Sequence, residues 1–320
     1  MIGLALVAAL SVAARADDGI SGVTDVLVLA EQMRKSGAPG NCHEILMSID
    51  GMVADAELSD YLYLRAFCSE LAWNSAAAKP DYEEVIARGK QRVSEARFRL
   101  ALVLEDLGDG HGALQQMVIL HKNEGWDLTD QVGVNLERAL AQVAAGKRKR
   151  GLENLETALI VAQSWDKHSW LRAKAHYVLM DQHLAAVERV TAVKGGDKKE
   201  AAAVTARVKA LSEAQEALLP LVATQEPEWI LHGLYRLGSA YVEFGDELVA
   251  AKVPARLSET EAGFYREEVE RQRRSLRQKA SHVFDQGVQL SLRLQFESPL
   301  VARLVLERDK IDAALQANGG

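Results

Sequence analysis

Along most of the chain, apolar residues recur at the three-to-four spacing of one helical face, and short polar or glycine-bearing stretches interrupt them. The segment ARFRLALVLEDLGDGHGALQQMVILHKN (96–123) shows the unit. It predicts an amphipathic helix, a tight turn at Gly108-Asp109, and a second amphipathic helix. The same spacing predicts helices in EAAAVTARVKALSEAQEALL (200–219), RLGSAYVEFGDELVAA (236–251) and SETEAGFYREEVERQRRSLRQKA (258–280). Strand-like alternation is scarce.

The helix pairs repeat. Small residues recur at Ala30, Ala66, Ala101, Ala139 and Ala175, every 35 to 38 residues. Around several of them a glycine follows seven residues later and a small residue five after that, as in Ala30–Gly37–Cys42, Ala101–Gly108–Ala113 and Ala139–Gly146–Gly151. The small residue lets two helices approach closely. The glycine accepts the left-handed conformation that ends a helix. On this rule Gly238 is a packing residue, and Gly245 closes its helix or relaxes the end.

The pattern resembles the tetratricopeptide repeat (TPR). Leu237, Gly238 and Tyr241, followed by Phe244-Gly245-Asp246, match the signature of its first helix, helix A. In the second, helix B, the family expects alanine, for which Cys42 and Gly151 stand in two of the units below, a large apolar residue four later and a small or apolar one three beyond. Ala113–Met117–Leu120 fits, as do Cys42–Leu46–Ile49 and Gly151–Leu155–Ala158. The resemblance spans most of residues 23–295 and implies an all-α, right-handed solenoid of antiparallel helix pairs. Helix B of the second unit, near PDYEEVIARG (80–89), reads as short.

Two units run longer. The helix-B match Ala214–Leu218–Leu221 begins 39 residues after Ala175, and Ala280–Phe284–Gly287 begins 42 after Gly238, where regular units need 12. Elongated hairpins are the expectation, with turns near KGGDKKE (194–200) and VPARLSE (253–259). SPLVARLVLERDKIDAAL (298–315) then reads as a capping helix, with Ser298 as N-cap and Pro299 at its first position. The expected organisation is a signal peptide over 1–16, regular TPR-like units over 17–165, two extended units over 166–297, and a cap and tail over 298–320.

Composition supports helices and narrows the partners. Hydrophobic residues make up 48% of 320 positions and aromatics only 6%, so helix formers dominate over strand formers. The formal net charge of −7 argues against nucleic acid as the main partner. The apolar run from Ile2 to Val12 before Ala14-Arg15-Ala16 reads as a secretory signal cleaved after Ala16. No later run approaches the ~18 apolar residues of a membrane span. Export would place the chain in the periplasm, where its two cysteines, Cys42 and Cys68, pair. In a stack of antiparallel helices the first sits on one helix B and the second on the next helix A, within reach of each other. Two buried free thiols, in a cytoplasmic adaptor, are the alternative.

Candidate chemistry is thin. His168, His176 and His183 are eight and seven apart, and seven helical residues span about 10.5 Å, too far to share one metal. The carboxylates read as solvated helix faces, and phosphate-binding and nucleophile motifs are absent from the sequence. We therefore expect no catalytic residues, no metal and no cofactor. Lys147-Arg148-Lys149-Arg150 reads as a solvated turn or an anionic docking patch. Arg271, Arg273, Arg274, Arg277 and Lys279 read as a solvated face supported by pairs such as Glu270–Arg274.

The TPR resemblance implies ligand binding on inward-facing helix-A residues. Counted from each small residue, these are Tyr63, Phe67, Phe98, Leu102, Arg172, His176, Tyr235 and Arg236. The expected function is a non-enzymatic protein-interaction scaffold of the cell envelope, binding another protein through this concave groove or through the long hairpins. An accessory to a peptidoglycan-acting, outer-membrane or motility machine, holding glycan or a small ligand, is the competing reading.

Overall fold

The computed structural model describes residues 22–35, 38–122, 127–163, 168–186 and 197–317. The expected signal peptide, Gly37 and the start of the KGGDKKE turn lie outside these residues. The described residues form thirteen α-helices and no strand, in two compact units divided at Ala158 and Leu159.

In the first unit, α1 (Val23–Lys35) is followed by α2 (Pro39–Met47), α3 (Leu58–Leu71) by α4 (Ser75–Arg88), α5 (Val93–Asp106) by α6 (Gly110–His121), and α7 (Leu128–Ala144) by α8 (Arg148–Ala162), which reaches the division. From α1 to α7 each helix packs on the next, and α1, α3, α5 and α7 also touch in series. That is the TPR-like arrangement: first helices side by side, second helices behind them. It arises because each pair has an apolar stripe that only a neighbouring pair can cover.

The register predicted from small residues holds. Ala30, Ala66, Ala101 and Ala139 are buried at the helix contacts. So are Leu46, Met117 and Leu155, the large members of the helix-B triads. Gly108 and Gly146 occupy the left-handed region at φ +81° and +76°, as the turns require.

The second repeat departs from the expectation in two ways. Its helix B is not short: α4 runs for 14 residues with Pro80 inside it. The triad Ala78–Tyr82–Val85 is fully buried, so this helix obeys the helix-B rule. Pro80 and its polar neighbours hide the register in the sequence. Seven residues after Ala66 stands Trp73, not glycine, held at φ 62° by the same turn geometry. Asn74 then caps α4 by accepting from Ala77 N–H at 3.2 Å, as Asp109 caps α6 from Gly112 at 2.8 Å.

Cys42 on α2 and Cys68 on α3 meet at disulfide distance, with Cα atoms 5.9 Å apart and both side chains buried.

The second unit contains α9 (Ser169–Ala185), α10 (Asp197–Ala223), α11 (Pro227–Ala250), α12 (Glu259–Leu294) and α13 (Pro299–Ala317). Successive helices pack, and α9, α11 and α13 also touch in series. Elongation is real but uneven. α10, α11 and α12 run 27, 24 and 36 residues, whereas α9 ends after 17. Residues from Asp197, inside the expected turn, belong to helix α10. The second turn falls at 251–258, as expected, and Ser258 closes a capping box with Glu261 at the start of α12. Ser298 accepts from Leu300 N–H at 3.3 Å to begin α13, which buries Leu300, Leu304 and Ile311.

Gly238 packs against Phe284, as expected of a close helix contact. Gly245 does not end a helix. It lies buried inside α11, and a Cβ there would meet Cγ of Arg273 on α12 at 3.2 Å. The longer hairpin carries the helix past the point where a regular unit turns, so the glycine serves contact with the neighbouring arginine.

A buried ion pair, Arg207 with Glu247, sits in the second core. Arg207 on α10 is 3% exposed. It donates to the Leu184 carbonyl at 3.3 Å and to Glu247 at 3.4 Å, with Glu243 at 3.7 Å. The Leu184 carbonyl belongs to the last turn of α9. Arg207 thus ties three helices at one point.

Candidate helix-A surface

In the first unit, the first helices bring Tyr63 and Phe67 together edge-on, with ring centroids 6.0 Å apart. Around them stand arginines from three helix starts or faces. Arg34 of α1 and Arg99 of α5 lie over the Phe67 ring at 4.6 and 3.8 Å, and Arg92, just before α5, lies over Tyr63 at 5.4 Å. Arg34 is held by two bonds to Glu31, both 2.7 Å. Arg99 donates to Glu70 at 2.9 Å, and Glu70 also accepts from the Tyr82 hydroxyl at 2.8 Å.

Burial raises the Glu70 carboxyl above its ordinary range, against the pull of Arg99 and the Tyr82 hydrogen bond. Burial likewise raises the Tyr63 phenol. The Arg34 guanidinium shifts upward because of its bonds to Glu31. The result is an aromatic pair whose charged neighbours are already oriented by their own carboxylates.

The other two positions expected here go elsewhere. Leu102 is 5% exposed and belongs to the core, and Phe98 is half-buried against that core. Counting from the small residue places them on helix A but on its inward slope. Arg34 and Arg99 fall outside the counted positions, since Arg34 stands four residues after Ala30 and Arg99 two before Ala101.

In the second unit, Arg172 donates to the Ala162 and Gln163 carbonyls at 3.1 Å each, capping the end of α8. His176 is half-buried, and burial, followed by the Arg172 charge, lowers its pKa. Tyr235 stacks at 6.0 Å from Phe284, with Arg303 over its ring at 5.6 Å. Arg236 is fixed by Asp181 at 2.7 Å. Arg172, Tyr235 and Arg236 are thus engaged in separate local contacts. Sequence reasoning missed a tighter grouping nearby: Tyr177, Trp229 and His232 lie within 5.4 to 5.9 Å of one another across α9 and α11. The signal for it was the i,i+3 spacing of Trp229 and His232.

Lys147 to Arg150 are exposed at the turn into α8. Among the described residues no group of three or more His, Cys, Asp or Glu side chains is placed to hold a metal ion, and no helix is long and apolar enough to cross a membrane.

No protein-family model matches the chain, and no curated protein matches it significantly. Among solved structures, it is similar to a TPR repeats protein from Bacteroides fragilis NCTC 9343, at 14% identity over 80% of this chain and 98% of that one, with a TM-score of 0.36. It is also similar to a circular tandem repeat protein with a novel repeat topology, at 17% identity and a TM-score of 0.32, over 91% of this chain and 57% of that one. The buried small residues, the helix-B triads and the serial contact of first helices are what define the architecture here: this is an all-α protein built from TPR-like helix pairs.

Proposed function

We propose that the chain is a non-enzymatic interaction scaffold that binds another protein. The observation that carries this reading is the Phe67 ring under the guanidiniums of Arg34 and Arg99, drawn from three successive first helices. Such a surface is preorganised, so a partner loses little entropy in ordering it. Recognition would use aromatic contact and carboxylate–guanidinium pairing along an extended or helical peptide.

The site of action in this reading is the periplasm or cell envelope. The Ile2–Val12 run with its Ala14-Arg15-Ala16 site and the approach of Cys42 to Cys68 support it. Export predicts a mature chain beginning at Asp17 and a mass two hydrogens below that of the reduced protein; an intact leader with free thiols would sink this part of the reading.

The test of the scaffold itself is crosslinking and capture from cells, comparing the native chain with Phe67→Ala and with a chain whose long α11–α12 hairpin is trimmed. One envelope protein, captured by the native chain and lost with either change, locates its docking site. Failure to capture any discrete protein overturns the reading.

A further inference from the structure

A cleft of about 440 Å³ lies between α12 and the end of α13. Arg266, Arg271, Arg273, Arg274 and Arg277 line it, with Glu267 and Glu270, while Ala314 and Leu315 form its apolar wall. Five guanidiniums against two carboxylates give the lining a positive balance on a chain whose net charge is −7.

Two of these arginines are set in place by Gly245 and Asp246 of α11. Gly245 leaves room for the Arg273 stem, and Asp246 accepts from Arg277 at 2.9 Å. The remaining carboxylates hold the cations loosely. Arg273 pairs with Glu270 at 2.8 Å, and Arg271 pairs with Glu268 at 2.8 Å. Glu268 and Glu270 are 48% and 50% exposed, so water competes for both pairs and each contributes little. An incoming carboxylate can therefore replace these partners at small cost.

We infer that this cleft binds an extended acidic segment of a partner protein, its carboxylates meeting the arginines and its apolar side chains resting on Ala314 and Leu315. The inference rests on the scaffold reading and moves one contact to the α12–α13 cleft. Three features favour this ligand. The arginines spread along about 16 Å of helix, the length of roughly five extended residues, so they do not converge on a single phosphate. Glu267 and Glu270 would repel a uniform polyanion but accept peptide N–H groups. The apolar wall matches a chain that alternates acidic and apolar side chains, since successive residues of an extended strand face opposite ways.

The experiment uses the purified full chain and a fluorescein-labelled octapeptide alternating glutamate and leucine, read by anisotropy. Binding should weaken about tenfold in Arg271→Glu/Arg274→Glu, whose side chains are exposed and whose melting temperature should stay at the native value, two exposed charge contacts being worth about that factor. Raising the salt should weaken binding, and the glutamine–leucine peptide should fail to bind. Unchanged affinity in the double variant, or equal binding of the glutamine peptide, overturns the proposal. Displacement of the peptide by millimolar inorganic phosphate, or preferential binding to phosphatidylglycerol vesicles, overturns it in favour of a phosphate-bearing ligand. Because the probe is synthetic, cellular capture can fail while this binding succeeds, and the reverse.

Discussion

Gly238 on α11 faces Phe284 on α12 so closely that a Cβ at position 238 would fall on the aromatic ring. Phe284 is 1% exposed and has nowhere to move. Gly238→Leu should therefore lower stability by about 1–3 kcal/mol through overpacking. Thermal denaturation measures this, and an unchanged midpoint would show that the two helices do not meet there.

Trp73, at φ 62° and 61% exposed, stands where the two following repeats carry the left-handed glycines Gly108 and Gly146. A non-glycine residue in that region costs about 1–2 kcal/mol, while glycine loses some of the gain through the freer unfolded chain. Trp73→Gly should thus raise stability by roughly 0.5–1 kcal/mol. Urea denaturation with an unaltered m-value would report it cleanly. A loss of stability would mean that the indole packs more than its exposure indicates.

Arg207 joins the end of α9 to α10 and α11 from a site almost closed to water. Removing one member of a buried charge pair strands the other, so Arg207→Ala should cost about 3 kcal/mol. Arg207→Met with Glu247→Leu should recover most of that loss, since apolar residues of similar size need no partner there. Equal destabilisation by the single and double variants would contradict this account.

Glu70 has 11% of its side chain exposed, and its folded pKa is raised above the ordinary 4.5 by burial. The unfolded chain gives up this proton first. Stability from this group is therefore greatest below the unfolded value, falls as pH rises toward the folded value, and stays lost above it. Glu70→Gln remains neutral throughout, so its stability relative to the native chain should climb through that window and then level off. Paired denaturation series from pH 4 to 8 would show the climb; a flat difference would rule it out.

The sequence alone determined the helix pairs, their period and most of their register. Ala30, Ala66, Ala101 and Gly238 could be read because close helix contact admits only small side chains, a local demand that leaves a mark at fixed spacing. Gly108 and Gly146 were legible for a similar reason, since their turns need positive φ.

What stayed hidden depended on residues far apart in the chain. The helix-B register of α4 was masked by Pro80, and only burial of Ala78, Tyr82 and Val85 exposed it. Gly245 looked like a helix end because its role is set by Arg273, 28 positions away. The candidate surface divides in the same way. Tyr63 and Phe67 share one helix and follow from its spacing, whereas Arg34 and Arg99 reach Phe67 only once three first helices lie side by side. Periodicity reports what a residue does within its own helix. Which charge meets which ring is decided by the packing between helices.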